Sequence, residues 1–393
     1  MVNSLMHGAF VLRNLSDSDD TKLMRTLLQQ AQHNTTSVYY CNNAGTVARF
    51  MIAYLALRSG VHIVTGDNSL CRRPIDDLVE ALNSIGLSIT YTEKEGCLPV
   101  QIVGGEANRK MVSVRASKSS QFASALMLMG LSMPAGISIS LVGRIVSRPY
   151  IEMTAQVLKQ AGVEVSISTN GHTYMIGKCP PSSAHQSVVT IENDWSAASY
   201  FYAISAILPG TRIRLRNLSL NSCQGDAIAS ELFKHFGVTT QQVHSPYRKG
   251  ATSLRLLSNG KADKKLSYNF TDSPDLFPTV AVVCAIMGVD AYLRGIKNLR
   301  HKESDRIESI CEELRRMGCR IEVGENIMHI FPSKLKPVDV INTHEDHRIA
   351  MAFAPLLLLH RNMKIDNEAV VNKSFPLFWQ QFKSILNQID KNS

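Results

Sequence analysis

Asn42-Asn43-Ala44-Gly45-Thr46 leads directly into Val47-Ala48-Arg49-Phe50-Met51-Ile52-Ala53-Tyr54-Leu55-Ala56-Leu57. A short polar cluster, suited to a turn or cap, runs into a helix of small and apolar residues. Such a helix is apolar nearly all round, so it is predicted to lie buried inside a domain. The pattern recurs four more times. Ser117-Lys118-Ser119-Ser120-Gln121 precedes Phe122 to Leu131, and Asn193-Asp194-Trp195-Ser196 precedes Ala197 to Leu208. Asp272-Ser273-Pro274-Asp275 precedes Leu276 to Met287, and Glu345-Asp346-His347-Arg348 precedes Ile349 to Leu359. The steps from Asn43 through Ser119, Ser196, Asp275 and His347 are about 76, 77, 79 and 72 residues; even spacing of like elements suggests a repeated supersecondary unit.

Between these helices lies a second kind. Arg73 to Ile85, Tyr150 to Ala161, Asp226 to Phe236 and Glu303 to Met317 read as amphipathic helices, each stopped by a glycine: Gly86, Gly162, Gly237 and Gly318. A β-rich stretch follows each one: Leu87 to Thr92, Val163 to Ser168, Val238 to Val243 and Cys319 to Val323. The repeated unit is therefore β-α-β-α-β-β, three to each half of the chain if one more precedes Asn43. Asp17 to Thr21 followed by Lys22 to Gln32 supplies the second helix of that earlier unit. Its first, buried helix is expected only as a stub, Met1 to Met6, ending at His7-Gly8.

Lys297-Asn298-Leu299-Arg300-His301-Lys302-Glu303-Ser304-Asp305-Arg306 concentrates charge ahead of one amphipathic helix. Ile307, Ile310, Leu314 and Met317 keep a helical period after it. Glu303, Ser304 and Asp305 suit a first turn, at the positive end of the helix dipole. Lys302 and Arg306 do not. Four apart on one helical face they would repel, unless an anion lay between them. A solvated, mixed-charge helix start is the plainer reading of the same residues.

Lys plus Arg number 42 against 33 Asp plus Glu, a net charge of +9 that points to acidic partners. The positive charge is dispersed, with no long basic run interleaved with aromatics and no zinc-finger or RNA-recognition signature, so small anions suit it better than nucleic acid. The eight cysteines form no CxxC pair and read as free thiols of a reducing cytosol. No apolar run reaches membrane-spanning length, and Met1 to Leu15 has no signal-peptide layout. A cytoplasmic location is expected.

Seven short motifs carry a family resemblance. Asn43-Ala44-Gly45-Thr46, Arg73-Pro74-Ile75, Ser119-Ser120-Gln121, Ser147-Arg148-Pro149-Tyr150, Lys302-Glu303-Ser304-Asp305-Arg306, Asp346-His347-Arg348 and Lys373-Ser374-Phe375-Pro376 follow one another as in the 5-enolpyruvylshikimate-3-phosphate synthases (3-phosphoshikimate 1-carboxyvinyltransferases). The chain resembles that family over essentially its whole length. The resemblance implies the enolpyruvyl transferase fold: α/β, two similar domains of three β-α-β-α-β-β units with buried helices, and the active site in the cleft between them. The domains are expected at residues 1–191, with the first unit incomplete, and 192–393.

The implied reaction moves the enolpyruvyl group of phosphoenolpyruvate to the 5-hydroxyl of shikimate 3-phosphate and releases phosphate, a step toward chorismate and the aromatic amino acids. It needs general acid and base groups and cations for two phosphates and two carboxylates. It needs no metal and no cofactor. By the match, Asp275 accepts the hydroxyl proton and Glu303 serves the methylene carbon. Asn43, Gly45, Arg73, Gln121, Arg306, Arg348 and Lys373 match the phosphoenolpyruvate site, where planar guanidinium forks suit carboxylate and phosphate. Ser119, Ser120, Gln121, Ser147, Tyr150, Asp275, Asn298 and Lys302 match the shikimate 3-phosphate site.

Each of these has a plainer reading. Ser119 to Gln121 could simply cap a helix, Asn43 to Gly45 could be a turn, and Tyr150 could be core. Asp275 could cap a helix after Pro274, and Glu303 could compensate a helix dipole. His344 and His347 bracket Glu345 and Asp346 in a way that suggests a metal, but nothing else in the sequence proposes a second shell for one.

The family's N-terminal Ser-Lys-Ser segment and following arginine would fall before Met1. The expectation is a late-assigned start or a cut chain; the alternative is a truncated, catalytically impaired homologue that acts as a ligand-binding scaffold. Lys118, beside the serine pair, could supply some of the missing charge. A UDP-N-acetylglucosamine enolpyruvyl transferase would share fold and donor, but it lacks the Lys302-to-Arg306 and Ser119-to-Gln121 patterns. A monomer is the family habit.

Overall fold

The computed structural model describes residues 1–6, 8–33, 36–180, 187–244 and 252–390. They form two compact units, Met1–Ile191 and Glu192–Ser393. Each unit has its own hydrophobic core, one running from Leu27 to Ile176 and the other from Trp195 to Ile385. Among the described residues no helix is long and apolar enough to cross a membrane.

In the first unit, Thr36–Tyr40 pairs in parallel with Gly60–Thr65, and the Gly45–Ala56 helix makes the crossover that a parallel pair requires. Val100–Gly104 and Ser88–Tyr91 add to the sheet antiparallel, with the Asp76–Ser84 helix between. The next repeat, within the same compact unit, keeps this order with Met111–Arg115, Ile137–Val142, Thr173–Ile176 and Val165–Ile167. Its helices are Ser120–Gly130 and Arg148–Gln160. In the second unit Lys265–Asn269, Asp290–Arg294, Ile327–Ile330 and Ile321–Val323 repeat it again, with helices Phe277–Met287 and Arg306–Arg316.

The helices that follow the polar clusters are buried as their sequences demand. Every residue from Phe277 to Ala285 is buried, as are all but two of Gly45–Ala56. Removing a large apolar side chain from water contributes about 1.5–3 kcal/mol, so these helices anchor the cores. The four glycines that stop the amphipathic helices all take positive φ: Gly86 92°, Gly162 83°, Gly237 74° and Gly318 86°.

Four helices differ from the sequence reading. Arg73 to Ile85 is helical only over Asp76–Ser84, because Arg73 precedes Pro74 and is extended at φ −83° and ψ 138°. Glu303 to Met317 does not form one helix. Lys297–His301 is a 3₁₀ turn, Lys302 is extended at φ −94° and ψ −156°, and the α-helix begins at Arg306. The cause is Asp305, whose Oδ1 accepts from the Ile307 and Glu308 amides at 3.1 Å each and so fixes the N-cap. Lys302 and Arg306 are therefore not neighbours on a helical face, and Glu303 is not a first-turn residue.

Asp226 to Phe236 is a chain of short turns, Gly225–Ile228, Ala229–Leu232 and Phe233–Phe236, the outer two 3₁₀. Phe233 and Phe236, three apart, are both fully buried, and a three-residue period puts both on one face. The last buried helix is split into His347–Phe353 and Leu356–Leu359 at Pro355, which has no amide hydrogen to continue it. At the amino end Val2–Leu5 is a single helical turn, and His7 lies outside the described residues.

Candidate active site

In the second unit a buried ionic cluster forms where the Phe277–Met287, Arg306–Arg316 and His347–Phe353 helices begin. Arg306 is its hub, with its side chain 2% exposed. Its Nε donates to Asp346 Oδ2 at 2.8 Å, its Nη1 to Asp275 Oδ1 at 2.9 Å and its Nη2 to Glu303 Oε2 at 2.7 Å. The planar guanidinium offers N–H donors in fixed, diverging directions, and here each of its three nitrogens serves a different carboxylate. Arg348 Nη2 donates to the other oxygen of Asp275 at 2.9 Å, and its Nη1 to Tyr200 Oη at 3.5 Å. Lys302 Nζ stands 3.9 Å from Asp275, and Lys373 Nζ 3.9 Å from Glu303.

Local structure sets these positions. Asp275 sits in the 3₁₀ turn Pro274–Leu276 that leads into the buried helix, not at an N-cap. Asp346 caps the His347–Phe353 helix by accepting from the Arg348 amide at 2.9 Å, while its other oxygen holds Arg306. One carboxylate thus positions both arginines. In sequence Asp346 stands in the polar cluster before the last buried helix and carries no site role of its own. Its place one residue before a helix, followed by an arginine, was the available signal.

The cluster perturbs its own protonation. Burial pushes the Asp275 carboxyl up, but Arg348, Lys302 and Arg306 together pull it well below the ordinary carboxylate range. Asp346 is likewise low, burial being outweighed chiefly by Arg306. Lys302 is pushed below its usual value by burial, against the pull of Asp275. His347, buried beside Asp346, falls to about 4, so its ring is neutral. Behind this layer Asp226, whose Oδ2 takes a hydrogen bond from Ser196 Oγ, is raised to about 7 by burial and by the charge of Asp275. At the start of a stretch that reads as an amphipathic helix, nothing in the pattern marks Asp226 as a buried carboxyl. Asn298 lies in the Lys297–His301 turn, its Oδ1 buried with no hydrogen-bond partner among the described residues.

The first unit assembles three helix starts. Gly45 opens one helix without a side chain: a Cβ there would meet Arg49 Nη1 at 2.6 Å and Arg73 Nη1 at 3.0 Å. Gln121 opens a second. Its Oε1 accepts from Arg49 Nη1 at 2.8 Å, and its Nε2 donates to Thr46 Oγ1 at 2.8 Å. Ser119 is that helix's N-cap, accepting from the Gln121 amide at 3.2 Å, and Ser120 is buried behind it. Arg49 Nη2 reaches Pro74 O at 3.3 Å, next to the buried Arg73 and just ahead of the Asp76–Ser84 helix. Asn43, half-buried, lies two residues before Gly45.

Ser147, in the left-handed region at φ 54°, caps the Arg148–Gln160 helix that carries Tyr150. That helix joins the Ser120–Gly130 helix through Thr154 and Ser124 at 2.8 Å. Lys118 is not a free cation. It pairs with Asp76 and lies 3.3 Å from Asp77.

His344 and His347 do not share a site. His344 Nε2 pairs with Glu313 at 3.1 Å, whereas His347 Nδ1 lies 3.5 Å from Asp346. Glu312, Glu313 and His344 come close enough to suggest a metal site. Glu313, however, already accepts from Arg316, the Asn342 amide and the Asn342 side chain. It reads as a structural hub.

Residues 7–382 match the family described as EPSP synthase (3-phosphoshikimate 1-carboxyvinyltransferase). A 3-phosphoshikimate 1-carboxyvinyltransferase of Bacteroides fragilis (strain YCH46) is 36% identical over 386 residues, 98% of this chain and 90% of that protein. One from Herminiimonas arsenicoxydans is 30% identical over 413 residues, 98% of this chain and 91% of that protein. Among solved structures, EPSP synthase from Acinetobacter baumannii superposes with a TM-score of 0.70 at 21% identity, covering 98% of this chain and 92% of its own. The enolpyruvyl transferase NikO from Streptomyces tendae gives 0.69 at 15%, with the same coverage. At those identities the structural likeness speaks for the fold.

Proposed function

This chain belongs to the EPSP synthase (3-phosphoshikimate 1-carboxyvinyltransferase) family, transferases of the shikimate pathway, and from that we propose how its own side chains carry the reaction. The 5-hydroxyl oxygen of shikimate 3-phosphate bonds to C2 of phosphoenolpyruvate, and its proton passes to Asp275. C3 of phosphoenolpyruvate takes a proton delivered by Glu303. The tetrahedral intermediate then loses a proton from the new methyl group and expels inorganic phosphate. Arg306, Arg348 and Lys373 in the second unit, and Arg73, Gln121, Asn43 and Gly45 in the first, bind phosphoenolpyruvate. Ser119, Ser120, Gln121, Ser147 and Tyr150, with Asp275, Asn298 and Lys302, bind shikimate 3-phosphate.

The observation that carries this reading is the convergence of Arg306, Arg348 and Lys302 on Asp275. One buried cation, Arg306, and two partly exposed ones, Arg348 and Lys302, gathered on one carboxylate form a site that anionic substrates can enter by exchange. As it stands Asp275 is a weak base, because those cations hold it ionised. Substrate phosphate and carboxylate drawing on Arg306 and Arg348 would raise its affinity for the hydroxyl proton. Activation would thus follow from binding both ligands.

The test is phosphate release from phosphoenolpyruvate plus shikimate 3-phosphate, comparing the chain with its Asp275→Asn variant. Release that needs both substrates and collapses in the variant is the expected result. Release from phosphoenolpyruvate alone, or equal rates in both proteins, would overturn the assignment. The substrates are small anions, and a cytoplasmic monomer is the reading that accompanies this chemistry.

A further inference from the structure

Lys118 precedes the Ser119 N-cap, and its ammonium pairs with Asp76 and lies 3.3 Å from Asp77. These are the first two residues of the Asp76–Ser84 helix, which follows Arg73 after Pro74 and Ile75. Asp77 is 1% exposed and also lies 3.4 Å from Arg115, so its charge is held on both sides. Burial works against the Lys118 charge, but the two carboxylates more than offset it and hold the ammonium above its ordinary range.

We propose that Lys118, Asp76 and Asp77 form an ionic tether that fixes the Ser119–Ser120 turn against the Arg73 segment, so that Lys118 is a positioning residue for shikimate 3-phosphate. This rests on the reading of Ser119 and Ser120 as phosphate-binding. The tether works beside a second link, since Arg49 bridges Gln121 to Pro74 between the same two helix starts. Two links resist rotation of one start about the other where one would not. A turn that presents serine hydroxyls and amides to a phosphate binds only in the right orientation, so holding it there lowers the ordering cost of binding. With its charge committed to two carboxylates, Lys118 acts through the turn and not as a direct phosphate ligand.

The two roles respond oppositely to loss of Asp76. Asp76→Asn slackens a tether but would free a direct cation. Titration calorimetry of shikimate 3-phosphate into the full chain reads binding without turnover. Asp76→Asn and Lys118→Met should each weaken binding about fivefold, as expected for a partly buried ion pair, and Lys118→Arg should restore it. Melting temperatures measured in parallel check that each variant is folded. Tighter binding by Asp76→Asn would overturn the proposal in favour of a direct phosphate contact. Unchanged affinity in both Asp76→Asn and Lys118→Met would overturn it outright. Ser120→Ala separates the two levels. If it leaves affinity unchanged, the phosphate-site reading fails and the proposal falls with it. If it weakens binding while the tether variants do not, only the tether is wrong.

Discussion

Arg306 Nη1 donates to Asp275 Oδ1 at 2.9 Å inside the second unit. The residue assigned to take the substrate proton is thereby tied to a cation assigned to hold the other substrate. Arg348 ties its second oxygen in the same way. Charge, geometry and reactivity at this site are one problem, and changes to any member should be read in several observables.

Asp275→Asn removes the base but keeps the size of the side chain. Turnover should fall about 10²–10⁴-fold, the usual contribution of a placed general base. The neutral amide also leaves Arg306 and Arg348 short of a counter-charge. A lower melting temperature should therefore accompany the lost rate, and an unchanged phosphate-release rate would refute the assignment.

Arg306→Lys keeps the charge and loses the fork. One ammonium cannot span Asp275, Glu303 and Asp346 in the directions the guanidinium serves. Unfolding in urea should show a loss of about 2–4 kcal/mol, and Arg306→Ala should cost more, because three carboxylates then face no central cation. A lysine variant with parental stability would show that the cluster can reorganise around a point charge.

Gly45→Ala tests the close approach at the first helix start. The added carbon would press on Arg49 Nη1 and Arg73 Nη1, both far ends of long side chains. The fold can yield there at little cost, so the melting temperature should hardly move. The guanidinium groups must shift, and phosphoenolpyruvate binding should weaken about tenfold as the charge-assisted contact from Arg73 loses its geometry. Parental affinity would remove Gly45 and Arg73 from the phosphoenolpyruvate site.

Two buried groups give opposite pH slopes. His347 is lowered to about 4, so between there and its ordinary value the unfolded chain binds a proton that the folded chain does not, and stability rises with pH. Asp226 is raised to about 7, so from its ordinary value up to there the folded chain binds the extra proton, and stability falls as pH rises. The two largely offset each other between about pH 4 and 6.5. Asp226→Asn should unmask a rise with pH and His347→Gln a fall, each up to about 1.4 kcal/mol per pH unit. Denaturation series across that range would show the same slope in both variants if these groups do not titrate this way.

Asp275 and Asp346 act lower on the scale. Both are depressed in the folded chain. Their stabilisation is complete above the ordinary carboxylate value of about 3.9 and is lost as pH falls through their folded values. The acid limb of the stability curve should steepen below about pH 4 and flatten in Asp346→Asn.

How far each part was legible depended on whether its cause was local. Repetition and hydrophobic pattern are written residue by residue, so the polar cluster before each buried helix, the glycine after each amphipathic helix and the spacing of about 76 residues were enough for the architecture. The ordered motifs then named a family. What the sequence left open were choices between competing local options. Asp305 or Ser304 could each have capped the charged helix; Asp305 does, and this moves Glu303 and Lys302 out of it. Pro355 broke a helix that periodicity alone would have continued, and the stretch from Asp226 to Phe236 runs as short turns where the pattern read as one helix.

The sequence by itself determined the repeat, the buried helices and the kinds of charged group at each helix start, because these follow from short-range pattern and composition. Only the tertiary structure decided which charges meet. Arg306 lies 40 positions from Asp346 and 31 from Asp275, and Lys118 lies 42 from Asp76. Those pairings arise when separate helix starts are brought side by side by packed cores. The same packing sets burial, and burial together with the facing charges fixes which groups are ionised. A sequence can show that a carboxylate is present; the fold sets whether it is held ionised like Asp275 or pushed toward neutrality like Asp226.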